Sequence, residues 1–211
     1  MAQQREASGG TLIDGELAGR SFAFGQRVSR IFHPIILNIC AFLIVGFHAL
    51  PSRTAGLGWT VASLLVQVVP PTVFYTIRAR QGAYSDEDVS DRHQRNELYL
   101  FALATVVIGT LVLLPFGLPR PFLALMLSAL AIGLICALVN LVWKISIHGA
   151  SIASTATVAL LYSRELGVAL WLCALLVAWA RIRTRNHTPL QVLAGFAVAA
   201  LVVLAVFGMV V

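Results

Sequence analysis

The sequence predicts an all-α, polytopic transmembrane bundle of six to seven spans, and three observations predict it. Of 211 residues 59% are hydrophobic and only 11% charged, whereas a soluble domain carries about a quarter charged residues. The mean hydropathy is +0.87. The apolar residues also gather into seven runs, most of them near the ~20 residues that a helix needs to cross a bilayer.

The first 30 residues are polar, with a Gly-rich "ASGG" and scattered arginines. They read as a retained cytoplasmic tail, because the apolar run that follows is longer than the core of a cleaved signal. Residues 31–211 then form one membrane domain, with runs at 31–50, 57–77, 98–117, 121–143, 148–163, 166–183 and 188–210. Pro70 and Pro71 should kink the second span, which a bundle tolerates where neighbours satisfy the freed carbonyls. "FGLPRP" between the third and fourth is a tight turn. Cys40, Cys136 and Cys173 are widely separated inside apolar runs, as buried thiols are, and form no disulfide or zinc pattern.

Seven spans put twelve of the fifteen basic residues, Arg5 among them, on one face and only Arg53, Arg120 and Arg164 on the other. The positive-inside rule makes the richer face cytoplasmic. The net charge of +6 reflects that topology and anionic lipid headgroups, since no nucleic-acid motif is present.

The residues able to do chemistry fall in three islands: "YSDEDVSDRHQRNE" (84–97), "WKISIHGAS" (143–151) and "WARIRTRNHTPLQ" (179–191). An even number of spans separates each from the next, so all three are expected at one membrane face. Together they offer Arg92, Arg95, Lys144 and Arg181 as cations, Ser146 as a hydroxyl, and His148 and His187 as groups that titrate near neutrality. Guanidinium forks match phosphate oxygens, and a helix opening near His148 adds backbone donors. The expected ligand is a phosphate. Two histidines in such a nest suggest a nucleophile paired with an acid for the leaving oxygen.

The order and spacing of these residues resemble the type 2 phosphatidic acid phosphatase (PAP2) family, related to vanadium haloperoxidases, with motifs K-x6-R-P, P-S-G-H and S-R-x5-H-x3-D. Arg181 and His187 match the third motif, Ser146-Ile147-His148 the second, and Arg95 the arginine of the first. The resemblance covers roughly residues 85–195. It implies a PAP2-like helical fold, His187 as the nucleophile that forms a phosphohistidine, and His148 as the general acid. Arg95 and Arg181 would bind phosphoryl oxygens with help from Ser146, and Arg92 or Lys144 would supply the missing first-motif cation. No metal or other cofactor is implied, because fixed cations neutralise the charge.

The sequence departs from the pattern at three places. Asp88 stands where the first-motif lysine would be, Ile147 replaces Gly, and Gln191 stands where the family has the Asp that orients the nucleophile. A Gln carbonyl can accept the same hydrogen bond without the charge. A bacterial branch of the family resembles this chain in D-x3-R-x2-R, K-I-S-x-H and H-T-x2-Q, which implies a bacterial cell membrane and makes Gln191 a branch trait. The implied substrate is a lipid phosphate: an isoprenoid or polyprenyl phosphate or diphosphate, a polyprenyl-phosphosugar phosphate, or a phosphatidate-like lipid.

Plainer roles compete at several positions. Arg164, Arg183 and Arg185 read as interfacial anchors, and His33, His48 and His93 as structural or solvated groups. Arg181 has the alternative of snorkelling beside Trp179, and His148 that of a capping residue. The run "SDEDVSD" admits a Mg-dependent membrane prenyl- or phosphoalcohol transferase, but a second acidic stretch is missing, since after Asp91 only Glu97 and Glu165 follow. The same carboxylates can instead pair with Arg92 and Arg95. A transporter or a silent lipid-phosphate binder is the non-enzyme alternative; intramembrane charges would mark a transporter, and the spans nearly lack them.

Overall fold

A computed structural model describes the backbone from Ala2 and the side chains from Leu17 onward. Among the described residues nine α-helices follow in order: α1 (Ala2–Ile31), α2 (Pro34–His48), α3 (Arg53–Gln67), α4 (Val69–Arg80), α5 (Arg95–Leu113), α6 (Arg120–Val142), α7 (Ile147–Tyr162), α8 (Arg164–Arg183) and α9 (Pro189–Val210). No strand occurs among the described residues. The chain is an all-helical membrane protein. Five helical stretches are long and apolar enough to cross a bilayer, and a sixth arises if Leu17–Ile31 and Pro34–His48, bent by 42°, count as one broken span.

All seven apolar runs are helical, yet they are not seven equal spans. The run at 148–163 is α7, whose 16 residues reach about 24 Å at 1.5 Å per residue, short of a ~30 Å hydrocarbon core. Ser146 and Ser163 close it at both ends. The polar tail expected over residues 1–30 coincides with α1, whose described part lies along the end of α8. There Arg183 Nε donates to Ser21 Oγ at 2.7 Å, and the Phe24 and Trp179 rings are 5.7 Å apart. Arg183 thereby ties two helices together. Arg5, counted in the charge balance, lies outside the residues whose side chains are described.

Where a kink is expected, the helix is interrupted at Val68, between α3 and α4, and the two helices together make one 28-residue stretch, Arg53–Arg80. Pro70 and Pro71 remove two amide donors. Two threonine hydroxyls fold back onto the helix that follows: Thr72 Oγ1 donates to the Val68 carbonyl at 2.6 Å, which also takes the Thr72 amide at 3.2 Å, and Thr76 Oγ1 to the Thr72 carbonyl at 2.8 Å. Aliphatic side chains such as Val61, Leu65, Ile108, Leu111, Leu172 and Leu201 cover the outer faces and are exposed, as lipid-facing side chains must be.

The core is built on small residues, because helix pairs in lipid associate by close packing rather than by expelling water. The Ala- and Thr-rich α7 packs against α2, α8 and α9, burying Ala150, Ala153, Ala156 and Ala159. Where α2 crosses α3, a Cβ on Gly56 would stand 1.9 Å from the Gly46 carbonyl oxygen. Gly56→Ala should therefore cost about 1–3 kcal/mol as an overpacked contact. The exposed Gly58, with open space around it, should accept alanine without loss. Thermal unfolding of the two variants in the same detergent checks the contrast.

Candidate functional site

Three local structures set the site. The first is the end of α8. Arg185 N donates to the Ile182 carbonyl at 3.0 Å and Asn186 N to the Arg181 carbonyl at 3.2 Å, with Arg185 at φ 58°. This is a Schellman closure with arginine in the left-handed position that glycine usually takes. His187 N also reaches the Arg181 carbonyl, at 3.2 Å. The five-residue spacing thus folds His187 back over the turn that carries Arg181.

The second is the start of α9, a complete capping box with Pro189 in the first turn. Gln191 Oε1 accepts from Thr188 N at 3.1 Å and from His187 Nδ1 at 3.1 Å. An amide oxygen only accepts, so Nδ1 carries the proton and Nε2 keeps its lone pair. The third is the start of α7, where Ser146 caps the helix by accepting from Gly149 N at 3.2 Å. Ser146 N donates to the Gln191 carbonyl at 3.2 Å. Gly195 permits this approach, since a Cβ there would lie 2.6 Å from the Ser146 carbonyl oxygen.

The three islands meet. Arg95, opening α5 and 6% exposed, donates from Nε to the Val89 carbonyl at 2.6 Å and from Nη1 to the Ile145 carbonyl at 3.4 Å. Val89 holds φ 47°, a conformation that costs a β-branched residue of the order of 1 kcal/mol or more. Arg181 is 1% exposed. Its Nη1 lies 2.8 Å from Asp88 Oδ2, which also accepts from Asn186 Nδ2 at 3.0 Å. Asp88 Oδ1 is 3.8 Å from His148 Nε2, too far for a hydrogen bond. Arg181 Nε and His148 Nε2 are buried without a hydrogen-bond partner.

Arg95, Arg181, His148 and His187 line one cavity of about 360 Å³, within the usual range for ligand sites. Beyond this polar end it continues into an apolar corridor walled by Phe42, Pro71, Leu98, Val106, Leu125 and Ile132. A second, polar cleft of about 280 Å³ lies between α1 and the loops at 86–90 and 184–186, and Asp88 borders both spaces.

The remaining expected residues sit elsewhere. Arg92 does not line the cavity. Its Nη1 donates to the Asn140 and Leu141 carbonyls, so it caps the end of α6. The Ser146 hydroxyl is engaged in its cap. Lys144 is half-buried and makes no hydrogen bond or ion pair among the described residues, acting on the site only at longer range; burial lowers its pKa, with Arg95 and Arg181 adding to the effect. Gln191 touches His187 but stays outside the cavity. The acidic run does not pair with Arg92 or Arg95. Asp86 accepts from Asp88 N and Ser90 N, and Asp91 from His93 N. Among the described residues no group of three or more His, Cys, Asp or Glu side chains could hold a metal ion.

Sequence reasoning missed Asp88, Asn186 and His33 as members of the site. His33 caps α2 through Nδ1 and meets the His148 ring edge-on at 5.7 Å. The signal available was the His33-Pro34 pair, a cap followed by proline.

Burial pushes the His187 imidazole from 6.5 down to about 3, assisted by the charges of Arg181, Lys144 and Arg95 and opposed by the Gln191 hydrogen bond. The ring is neutral at physiological pH. Fold and cavity together define an all-helical membrane protein with a buried, cation-lined pocket at one end of the bundle. No family model, characterised protein or solved structure matches the chain.

Two outcomes follow. The stability that comes from a neutral His187 is complete above the unfolded value near 6.5 and is lost as pH falls toward about 3, since only the unfolded chain binds the proton in that window. The stability difference between wild type and His187→Gln should therefore shrink on acidification, and a ring-nitrogen NMR titration should show Nδ1 protonated and Nε2 free at neutral pH. Ser146→Ala should cost about 1 kcal/mol, the worth of a helix cap, and leave inorganic phosphate binding unchanged, measured by thermal unfolding and calorimetry.

Proposed function

We propose that this chain is a membrane lipid phosphatase of the PAP2 type that works through a phosphohistidine. The observation that carries the reading is a single cavity with a polar end and an apolar corridor. The polar end presents Arg95, Arg181, His148 and His187, and the corridor is lined by side chains of α2, α4, α5 and α6. An amphiphile with a phosphate head and a hydrocarbon chain fits both parts.

In the proposed reaction, His187 Nε2 attacks phosphorus with the lone pair left free by the Nδ1 hydrogen bond to Gln191. The Nε2–P bond forms as the P–O bond to the lipid breaks, and Arg181 and Arg95 neutralise the charge on the equatorial oxygens. His148, taking a proton from solvent once the phosphate charge offsets the Arg181 guanidinium beside it, delivers that proton to the departing lipid oxygen. Water then attacks the phosphohistidine, His148 takes the proton, and inorganic phosphate and free His187 result. Lys144 contributes its charge at a distance, and Arg92 braces the loop. The substrate class is an isoprenoid or polyprenyl phosphate or diphosphate first, and a phosphatidate-like lipid next. The charge bias supports a cytoplasmic-facing site, and the family resemblance a bacterial membrane.

A second reading, a protein that binds lipid phosphate without hydrolysing it, is favoured by one observation: Gln191 carries no charge to stabilise an imidazolium. Phosphate release by the purified protein in EDTA separates the two. His148→Ala should slow release by about 10²–10⁴-fold, as loss of a general acid does, and His187→Ala should abolish it. Release that requires Mg²⁺ and ignores both substitutions would overturn the phosphohistidine, and lipid-phosphate binding without release would favour the silent binder.

A further inference from the structure

Glu87 and Asp88 both line the cavity, but it is Asp88 that pairs with Arg181, and its contacts are those an anionic ligand would take. Oδ2 accepts from Arg181 Nη1 at 2.8 Å and from Asn186 Nδ2 at 3.0 Å, and Oδ1 faces His148 Nε2 at 3.8 Å. The fit is incomplete. A carboxylate has two oxygens where a phosphate has three or four, and Arg181 Nε and His148 Nε2, both buried, stay without a hydrogen bond. Arg181 Nε is a buried donor left unmet, which is costly, and a larger anion would meet it; His148 Nε2 would become a second donor to that anion on protonation.

The loop that carries Asp88 is held so that it can let go. Asp88 is 24% exposed against 1% for Arg181, so the carboxylate has a way out that the guanidinium lacks. Its neighbour Val89 keeps φ 47°, a sparsely populated state that persists only while surrounding contacts impose it. The loop backbone is held inward by Arg95 Nε on the Val89 carbonyl at 2.6 Å and by Tyr75 Oη on the Glu87 carbonyl at 2.7 Å, while toward solvent its side chains are tied by an exposed pair, Arg30 Nη2 to Glu87 Oε2 at 3.3 Å, and by Ser90 Oγ to Asn186 Oδ1 at 3.0 Å. Exposed pairs of this kind contribute little. The polar cleft against α1 that Asp88 also borders is the space into which the carboxylate can move.

We propose that Asp88 is an internal counter-anion occupying the phosphoryl position, so that ligand binding is an exchange in which a phosphate displaces the carboxylate from Arg181 into the polar cleft. The proposal deepens the reading of this cavity as a phosphate site, on which it rests, but does not require turnover. It gives a neutral pairing to a guanidinium that is otherwise buried alone. It also gives free phosphate a competitor: once no lipid chain fills the corridor, the tethered carboxylate returns to Arg181 and the small anion leaves through the cleft.

The test is calorimetric titration of the detergent-solubilised full chain with inorganic phosphate and, separately, with geranyl monophosphate. Asp88→Asn keeps the side-chain shape and an acceptor for Arg181 while removing the charge. It should bind both probes about tenfold or more tightly than wild type, because a like charge no longer opposes the anion. The chain of geranyl phosphate should add the same increment to both proteins. In the wild type, saturating inorganic phosphate should speed amide hydrogen exchange across residues 84–94, a readout that does not depend on the variant folding. Unchanged or weaker phosphate binding by folded Asp88→Asn overturns the proposal, and so does loop exchange that phosphate leaves unaltered. Tighter binding by the variant with no hydrolysis of any lipid phosphate keeps the counter-anion and removes the phosphatase. Hydrolysis by wild type with equal phosphate affinity in both proteins does the reverse.

Discussion

A guanidinium buried to 1% exposure inside a bundle made almost wholly of apolar side chains constrains everything around it. Charge in such surroundings is held only where other groups compensate, and Arg181 collects its partners from distant parts of the chain. Asp88, 93 residues away, supplies the carboxylate. The Arg181 carbonyl accepts the amides of Asn186 and His187, so one residue anchors both the charge network and the turn that aims the second histidine. His148, on the first turn of α7, faces the same carboxylate at 3.8 Å without bonding it. Remove the compensation and the end of α8, the start of α9 and the loop before α5 lose their common reference point.

The lipid-facing architecture was legible because its cause is local. Each apolar run reports its own burial in lipid, and the prolines at 70 and 71 report their own missing amides, so seven helical segments and the break at Val68 follow from the residues themselves. The count of spans was less legible. Whether α7 needs to cross or only to sit among its neighbours depends on α2, α8 and α9 around it, and nothing within residues 148–163 states that. The continuation of α1 into α2 likewise depends on packing against α8.

In the site, spacing within one island could be read and pairing between islands could not. Arg181 and His187 belong together because one helix terminus joins them. Arg92 looked equivalent to Arg95, both being arginines three residues apart, yet a turn of loop separates their fates: one guanidinium closes the end of α6 and the other enters the cavity. Asp88 was expected to serve those arginines and serves Arg181 instead. Ser146 and Gln191 show a further limit. Both sit in capping positions, and T-x-x-Q before an apolar run is a capping-box signature that could have been read from the sequence. Gln191 does two things with one oxygen, fixing the start of α9 and the tautomer of His187.

That shared oxygen sets how far chemistry at His187 can be separated from folding. An Asp in its place would bring charge to Nδ1 and stabilise an imidazolium, but it would do so in a pocket where Arg95, Arg181 and Lys144 already favour the neutral ring. A neutral acceptor leaves the balance with burial and the cations, which, on the proposed function, suits a nucleophile that must be unprotonated before it meets phosphorus. The anion itself then changes the balance. On the proposed function, a phosphate seated on Arg181 would offset the cationic share of what depresses His187, leaving burial as the larger cause, so the ring would bear positive charge more readily with phosphate present than without it. On the proposed function, the charge that an orienting Asp would supply permanently is supplied here by the substrate, and Asp88 holds that place until the substrate arrives.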